Sequence, residues 1–123
     1  MEINEDSAQV EIIGEFGRIY LYTHDHGKNL VSDVYEALNI RKRWDDADYL
    51  AKIIFCHMLP VECWNDDKGF GIGTTLYADV DLLVSLNIKD QTITLTSASD
   101  KTFYYKSSFD SFLSSYASSA DFT

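Results

Sequence analysis

Proline is almost missing from this chain, and Pro60 is the one exception. A residue with no backbone N–H stops helices and forces its predecessor out of the α region, so a helix is expected to end at Leu59. Cysteine is scarce too. Cys56 and Cys63 lack CxxC spacing and stand too close together for a framework, which excludes a disulfide-stapled scaffold and fits two thiols in a reducing cytoplasm. Positive charge is short: 10 Lys and Arg against 20 Asp and Glu leave a net charge of -10. Duplex binding rests on many cationic contacts to phosphate, so long nucleic acid is excluded as a partner. Long apolar runs are also lacking, and the start MEINEDSAQ is acidic where a secretory leader is basic and then apolar. The expectation is a chain that stays where it is made, without a membrane. The six glycines form neither GxGxxG after a strand nor a GxxxxGKS or GxxxxGKT phosphate loop, and no GxSxG elbow occurs.

What is present is concentrated in Arg41 to Pro60, RKRWDDADYLAKIIFCHMLP. Three consecutive cations, Arg41, Lys42 and Arg43, give an acidic chain one local positive spot. Asp45 is expected to cap the helix that follows, with Asp46 and Asp48 at the positive end of its dipole. From Tyr49 to Leu59 apolar residues cover nearly the whole circumference. That distribution argues for burial on more than one side and for an oligomer built through this helix.

The rest of the chain reads as scaffold. Its 123 residues make one domain, with residues 1–8 and 117–123 expected to be flexible ends. Gln9 to His24 is β-rich and splits into a hairpin at Phe16 and Gly17, with Val10, Ile12 and Gly14 on one face and Ile19 and Leu21 alternating with Tyr20 and Tyr22. Asn29 is a cap for a helix through Asn39 that gathers Val31, Val34, Tyr35 and Leu38. GFGIG, Gly69 to Gly73, reads as a strand with Phe70 and Ile72 on one side and bare backbone on the other. Val80 to Ile88 and Thr92 to Thr96 are two antiparallel strands joined at Lys89 to Gln91. A short strand within Lys101 to Lys106 precedes a last helix capped by Ser107 or Ser108, with Phe109, Phe112, Leu113 and Tyr116 on one face. The fold class is α+β: an antiparallel sheet of about five strands, two central helices and a short C-terminal helix, with no parallel crossover required.

Three constellations could carry chemistry. His24, His26, His57, Cys56 and Cys63 match no zinc spacing, so no metal is expected. The acid pairs Asp45/Asp46 and Asp66/Asp67 read as helix cap and solvated turn rather than as general acid and base. Tyr20, Tyr22, Thr23, His24, Arg41, Arg43, Trp44 and Phe70 are the parts of a nucleotide pocket, since bases stack on aromatics and guanidinium groups meet phosphate oxygens.

YLYTH followed by Gly27, then RWDD, YLAKIIF and GFGI, with the QTIT strand and the SFDSFL helix after them, resemble a family of small phage-encoded proteins, the Thoeris anti-defence sponges. The similarity runs from Glu11 to Leu113. It implies a protein that binds cyclic ADP-ribose signals made by bacterial TIR enzymes, in some members cyclic oligonucleotides too, and holds them from their effector without cleaving them. The implied state is a homo-oligomer, a dimer or trimer of dimers, in the cytoplasm of the infected bacterial host. The expectation taken together is no catalytic residue, no cofactor, and a ligand site at Tyr22, Thr23, His24, Arg41, Arg43 and Phe70. In that site the adenine stacks on Phe70 or a strand tyrosine, Arg41 and Arg43 hold the pyrophosphate, and Thr23 and His24 take ribose hydroxyls. Asp25 departs from the family, which leads one to expect an aromatic there. The alternatives are an acidic phage accessory protein that binds a host protein and a metal-dependent nucleotide hydrolase using the histidines.

Overall fold

In the computed structural model, which describes residues 7–23, 29–59, 70–77, 80–97 and 104–118, the N-terminal alternation forms a hairpin of β1 (Ala8–Ile13) and β2 (Arg18–Thr23). The turn is closed by the Gly14 N–H donating to the Gly17 carbonyl at 2.8 Å, and the register sets Val10 opposite Leu21 and Ile12 opposite Ile19. These apolar residues face the helices. Ala8, expected to belong to a frayed end, instead opens β1 fully buried, and Ser7 beside it is buried as well. The Asp81 N–H donates to both the hydroxyl and the carbonyl of Ser7, which ties that end to the start of a later strand.

Two helices follow. α1 (Leu30–Asn39) buries Leu30, Val31, Val34, Ala37 and Leu38; Asn29 holds the N-cap position, though its side chain makes no capping bond. α2 (Ala47–Met58) buries Leu50, Ala51, Ile54 and Met58 and leaves Tyr49, Ile53, Phe55 and Leu59 half-buried, a wide apolar face rather than a narrow stripe. The N-cap of α2 is Asp46, not Asp45: its carboxylate accepts the Tyr49 N–H at 3.0 Å. Asp46→Ala is therefore expected to cost about 1 kcal/mol of stability and Asp45→Ala a few tenths at most, which paired urea titrations will separate. At the other end Leu59 is extended (ψ 135), as a residue before proline must be. Pro60 itself lies outside the described residues.

The remaining elements are β3 (Phe70–Gly73), β4 (Leu82–Asn87), β5 (Thr92–Ser97), β6 (Tyr104–Ser108) and α3 (Phe109–Ser118). The Ser108 hydroxyl caps α3 by accepting the Ser111 N–H at 3.1 Å. The fold is α+β as expected, but among the described residues the sheet has six strands in the order β3-β2-β1-β4-β5-β6 and is mixed, because β1 and β4 pair in parallel. The expectation of a purely antiparallel sheet fails for a topological reason. β3 returns to the outer edge of β2, so the next strand finds its open partner on the far side of β1. All three helices pack on one face: α2 against β1 and β2, α3 against β5 and β6, and α1 between them. There Tyr35 stacks on Tyr116 at 4.5 Å and meets Phe112 edge-on at 6.4 Å. Among the described residues no helix is long and apolar enough to cross a membrane.

Candidate functional site

The basic link between α1 and α2 is short, strained and well held. After α1 the Arg41 N–H donates to the Leu38 carbonyl at 3.0 Å, and the chain then enters the left-handed region twice, at Arg41 (φ 61) and Arg43 (φ 53). For a residue with a side chain that conformation costs roughly 1 kcal/mol, so surrounding contacts must impose it. They do. The Trp44 indole N–H donates to the Leu38 carbonyl at 3.0 Å, and its ring meets Phe109 of α3 edge-on at 5.4 Å. Arg41 pairs with Asp110 at 3.0 Å and lies over Trp44. The Arg41–Asp110 pair is mostly exposed and contributes little energy, so the half-buried indole is the main anchor. Arg43 is directed elsewhere: its guanidinium sits 5.0 Å above the Tyr49 ring.

Arg43 lines a cleft of about 730 Å³ between the β1–β2 turn and the first turn of α2. Gly14 makes this close approach feasible, since a Cβ there would fall 3.0 Å from the Cβ of Ala47. Phe16 stands at the tip of the turn, 94% exposed. The volume suits a nucleotide-sized molecule. Glu15, Asp45, Asp46 and Asp48 also line the cleft, and Asp46 is already engaged as the helix cap. The field is thus acidic, with two cations on its walls: Arg18, which is paired with Glu11, and Arg43. A ligand that fits such a field offers hydroxyl and amino donors to carboxylates and brings its anionic group to Arg43.

The other expected site residues lie elsewhere. Thr23 pairs with Phe70 at the far end of β2, on the helix face. Ile19, which lines the cleft, is four residues back along the strand, on the order of 13 Å. Tyr22 points to the opposite face of the sheet, across from Gly71, and meets Tyr77 edge-on at 5.3 Å. One chain therefore does not bring Arg41 and Arg43 into a common pocket with Tyr22, Thr23 and Phe70. His24 lies outside the described residues, as do His26, Cys63, Asp66 and Asp67. Cys56 and His57 are exposed at the end of α2. Among the described residues no group of three or more His, Cys, Asp or Glu side chains is placed to hold a metal ion.

The face of the sheet away from the helices holds a polar cluster that sequence reasoning missed. Glu11, only 6% exposed, accepts the Arg18 guanidinium at 2.7 Å and the Tyr20 hydroxyl at 3.0 Å on one oxygen, and the Ser85 hydroxyl at 2.9 Å on the other. Hydrogen bonding with Tyr20, then with Glu11, raises Arg18 further above its already high range, so it is a fixed cation. Beside this cluster the buried Gln9 amide donates to the Thr75 carbonyl and accepts the Tyr77 N–H, clipping the segment after β3 across the sheet. Phe16 was missed too, although an aromatic between Gly14 and Gly17 in a tight turn has no claim on a core. Comparison of the chain with protein-family models, curated proteins and solved structures finds no match.

Proposed function

We propose that this protein is a non-enzymatic capture protein for a cyclic nucleotide signal of the cyclic ADP-ribose class, acting in the cytoplasm of a phage-infected bacterium to block TIR-based immunity. The observation that carries the reading is the basic link: arginine occupies two left-handed positions where glycine would cost less, and Trp44 pins the turn so that Arg43 is presented at the mouth of a nucleotide-sized cleft. The resemblance to the Thoeris sponges supports the ligand class. In this reading Arg43 meets a phosphate, Glu15, Asp45 and Asp48 accept ribose hydroxyls and base amines, and Phe16 supplies the stacking face first sought at Phe70. Capture needs affinity and copies, not turnover; a nanomolar dissociation constant corresponds to about -12 kcal/mol.

Calorimetric titration with cyclic ADP-ribose isomers, followed by chromatography of the bound fraction, tests the proposal. Tight binding with the ligand recovered intact is expected. Absence of binding, or release of a hydrolysed product, overturns it. Arg43→Ala is expected to weaken capture by about 1.5–3 kcal/mol, ten- to over a hundredfold, without loss of the folded state. Unchanged affinity in a folded variant removes Arg43 from the site. The exposed Phe16 ringed by carboxylates also favours a second reading, a docking point for a basic protein surface, which gains if nucleotides fail to bind.

A further inference from the structure

Of the two arginines in the basic link, one is already engaged and the other is not. Arg41 lies over Trp44 and also pairs with Asp110 at 3.0 Å, so its guanidinium has an acid. Arg43 has only a ring beneath it. Its guanidinium sits 5.0 Å from the centroid of Tyr49, and among the described residues it makes no ion pair and no hydrogen bond. Yet Asp45, Asp46 and Asp48 all line the same cleft, and an arginine beside carboxylates ordinarily settles on one of them. We propose that Tyr49 is the positioning residue of the cleft: its ring holds the Arg43 guanidinium off the neighbouring acids and so keeps the N–H donors in reserve for an anionic ligand. The consequence for capture rests on the reading above, whereas the arrangement of the two side chains does not.

Three features make the ring a better seat than the carboxylates. First, Tyr49 is a fixed platform. It is half-buried on the first turn of α2 and packs against the core, whereas Asp45 and Asp48 are exposed, where an ion pair gains little over water. Second, Asp46 is occupied. Its carboxylate accepts the Tyr49 N–H at 3.0 Å, so the residue that supplies the ring also engages a competing acid. Third, the backbone fixes where the arginine starts. Arg43 is left-handed (φ 53), and its carbonyl accepts the Asp46 N–H at 3.0 Å, which holds it beside the helical turn that carries Tyr49. A cation seated on a ring face spends no N–H on a carboxylate, so every donor of the guanidinium fork stays available for bidentate contact with a phosphate. The same reasoning separates the two arginines by role: Arg41 secures the link against α3 through Asp110, and Arg43 faces the ligand.

Side-chain NMR of the ligand-free chain tests the arrangement, and calorimetric titration with cyclic ADP-ribose isomers tests its effect on capture. The Arg43 Nε–H resonance, assigned by its loss in Arg43→Lys, is expected to show the upfield shift of a proton above a ring. Tyr49→Phe keeps the ring and is expected to retain both the shift and the affinity. Tyr49→Leu keeps apolar packing without a ring face and is expected to lose the shift and to bind about fivefold more weakly, with melting curves confirming that both variants are folded. In an Arg43→Ala background Tyr49→Leu is expected to weaken binding no further, a coupling that a merely structural tyrosine would not show. An unshifted Arg43 in the wild type, or one still shifted in Tyr49→Leu, overturns the proposal. So does a Tyr49→Phe chain as weak as Tyr49→Leu, or an equal loss with and without Arg43. Should no cyclic ADP-ribose isomer bind the wild type, the capture reading falls, and the ligand-free spectra alone decide whether Tyr49 holds Arg43.

Discussion

Phe109→Ala is expected to cost about 3–5 kcal/mol of folding stability and to lower the melting temperature on the order of 15 °C. Phe109 is fully buried at the first position of α3, where its N–H is tied to the Gln91 carbonyl at 2.9 Å, so truncating its ring opens a cavity that collapses only in part. The loss is a large part of the stability of a domain this size. It also reaches the candidate site. Phe109 is the wall against which Trp44 rests edge-on, and Trp44 is the next residue after Arg43 in the basic link. In a Trp64→Phe background the near-ultraviolet circular dichroism of Trp44 is expected to collapse in the Phe109→Ala variant under conditions where it is still folded. Leu86→Ala, a comparable core deletion in β4, should leave that signal intact. Equal loss in both would separate the basic link from α3.

Glu11→Ala is the second large effect, expected at about 2–4 kcal/mol. Removing the carboxylate leaves the buried Tyr20 hydroxyl and the Ser85 hydroxyl without their acceptor and Arg18 without its counter-charge. The Arg18 side chain is about half exposed, so most of the cost falls on the two hydroxyls rather than on the ion pair. Urea titration should show a lower midpoint with an unchanged slope, and Ser85→Ala a smaller shift of about 1 kcal/mol. A loss below about 0.5 kcal/mol for Glu11→Ala would mean that water replaces the carboxylate.

Features decided within a few residues were legible in the sequence. The two central helices, the turn at Gly14 to Gly17 and a serine cap at Ser107 or Ser108 follow from spacing and local hydrogen-bonding chemistry. The cap of α2 shows where local reading ends. Asp45 and Asp46 are both suitable, and the left-handed turn at Arg43, which brings the Asp46 N–H to the Arg43 carbonyl, makes the choice. Alternation says which residues of a strand face inward but not which strand lies beside it, so the parallel β1–β4 pair and the sixth strand's place in the sheet were hidden. That one chain does not gather the expected ligand residues was partly legible. Tyr22 and Thr23 are consecutive in a strand and so face opposite sides of the sheet. That Arg43 and Phe70 sit toward opposite ends of β2 depends on the crossover, which no spacing reveals. Glu11 was legible as a polar residue between inward-facing Val10 and Ile12, but the segment that runs beside it across the sheet was not.

The parallel pairing of β1 with β4 also sets the order in which this protein can come into being. Its registers join Ala8 to Leu82 and Glu11 to Ser85, partners 74 residues apart. The β1–β2 hairpin and the α1–α2 pair are complete early in synthesis, yet the middle of the sheet stays open until β4 has left the ribosome. Until then the apolar side of β1 has a partner on one flank only. Bringing distant segments together costs loop entropy before contacts repay it, so the step that closes the sheet is expected to govern the folding rate. A chain truncated before Leu82 would hold most of the helical layer and expose an unpaired strand to other copies, the condition under which nascent chains aggregate.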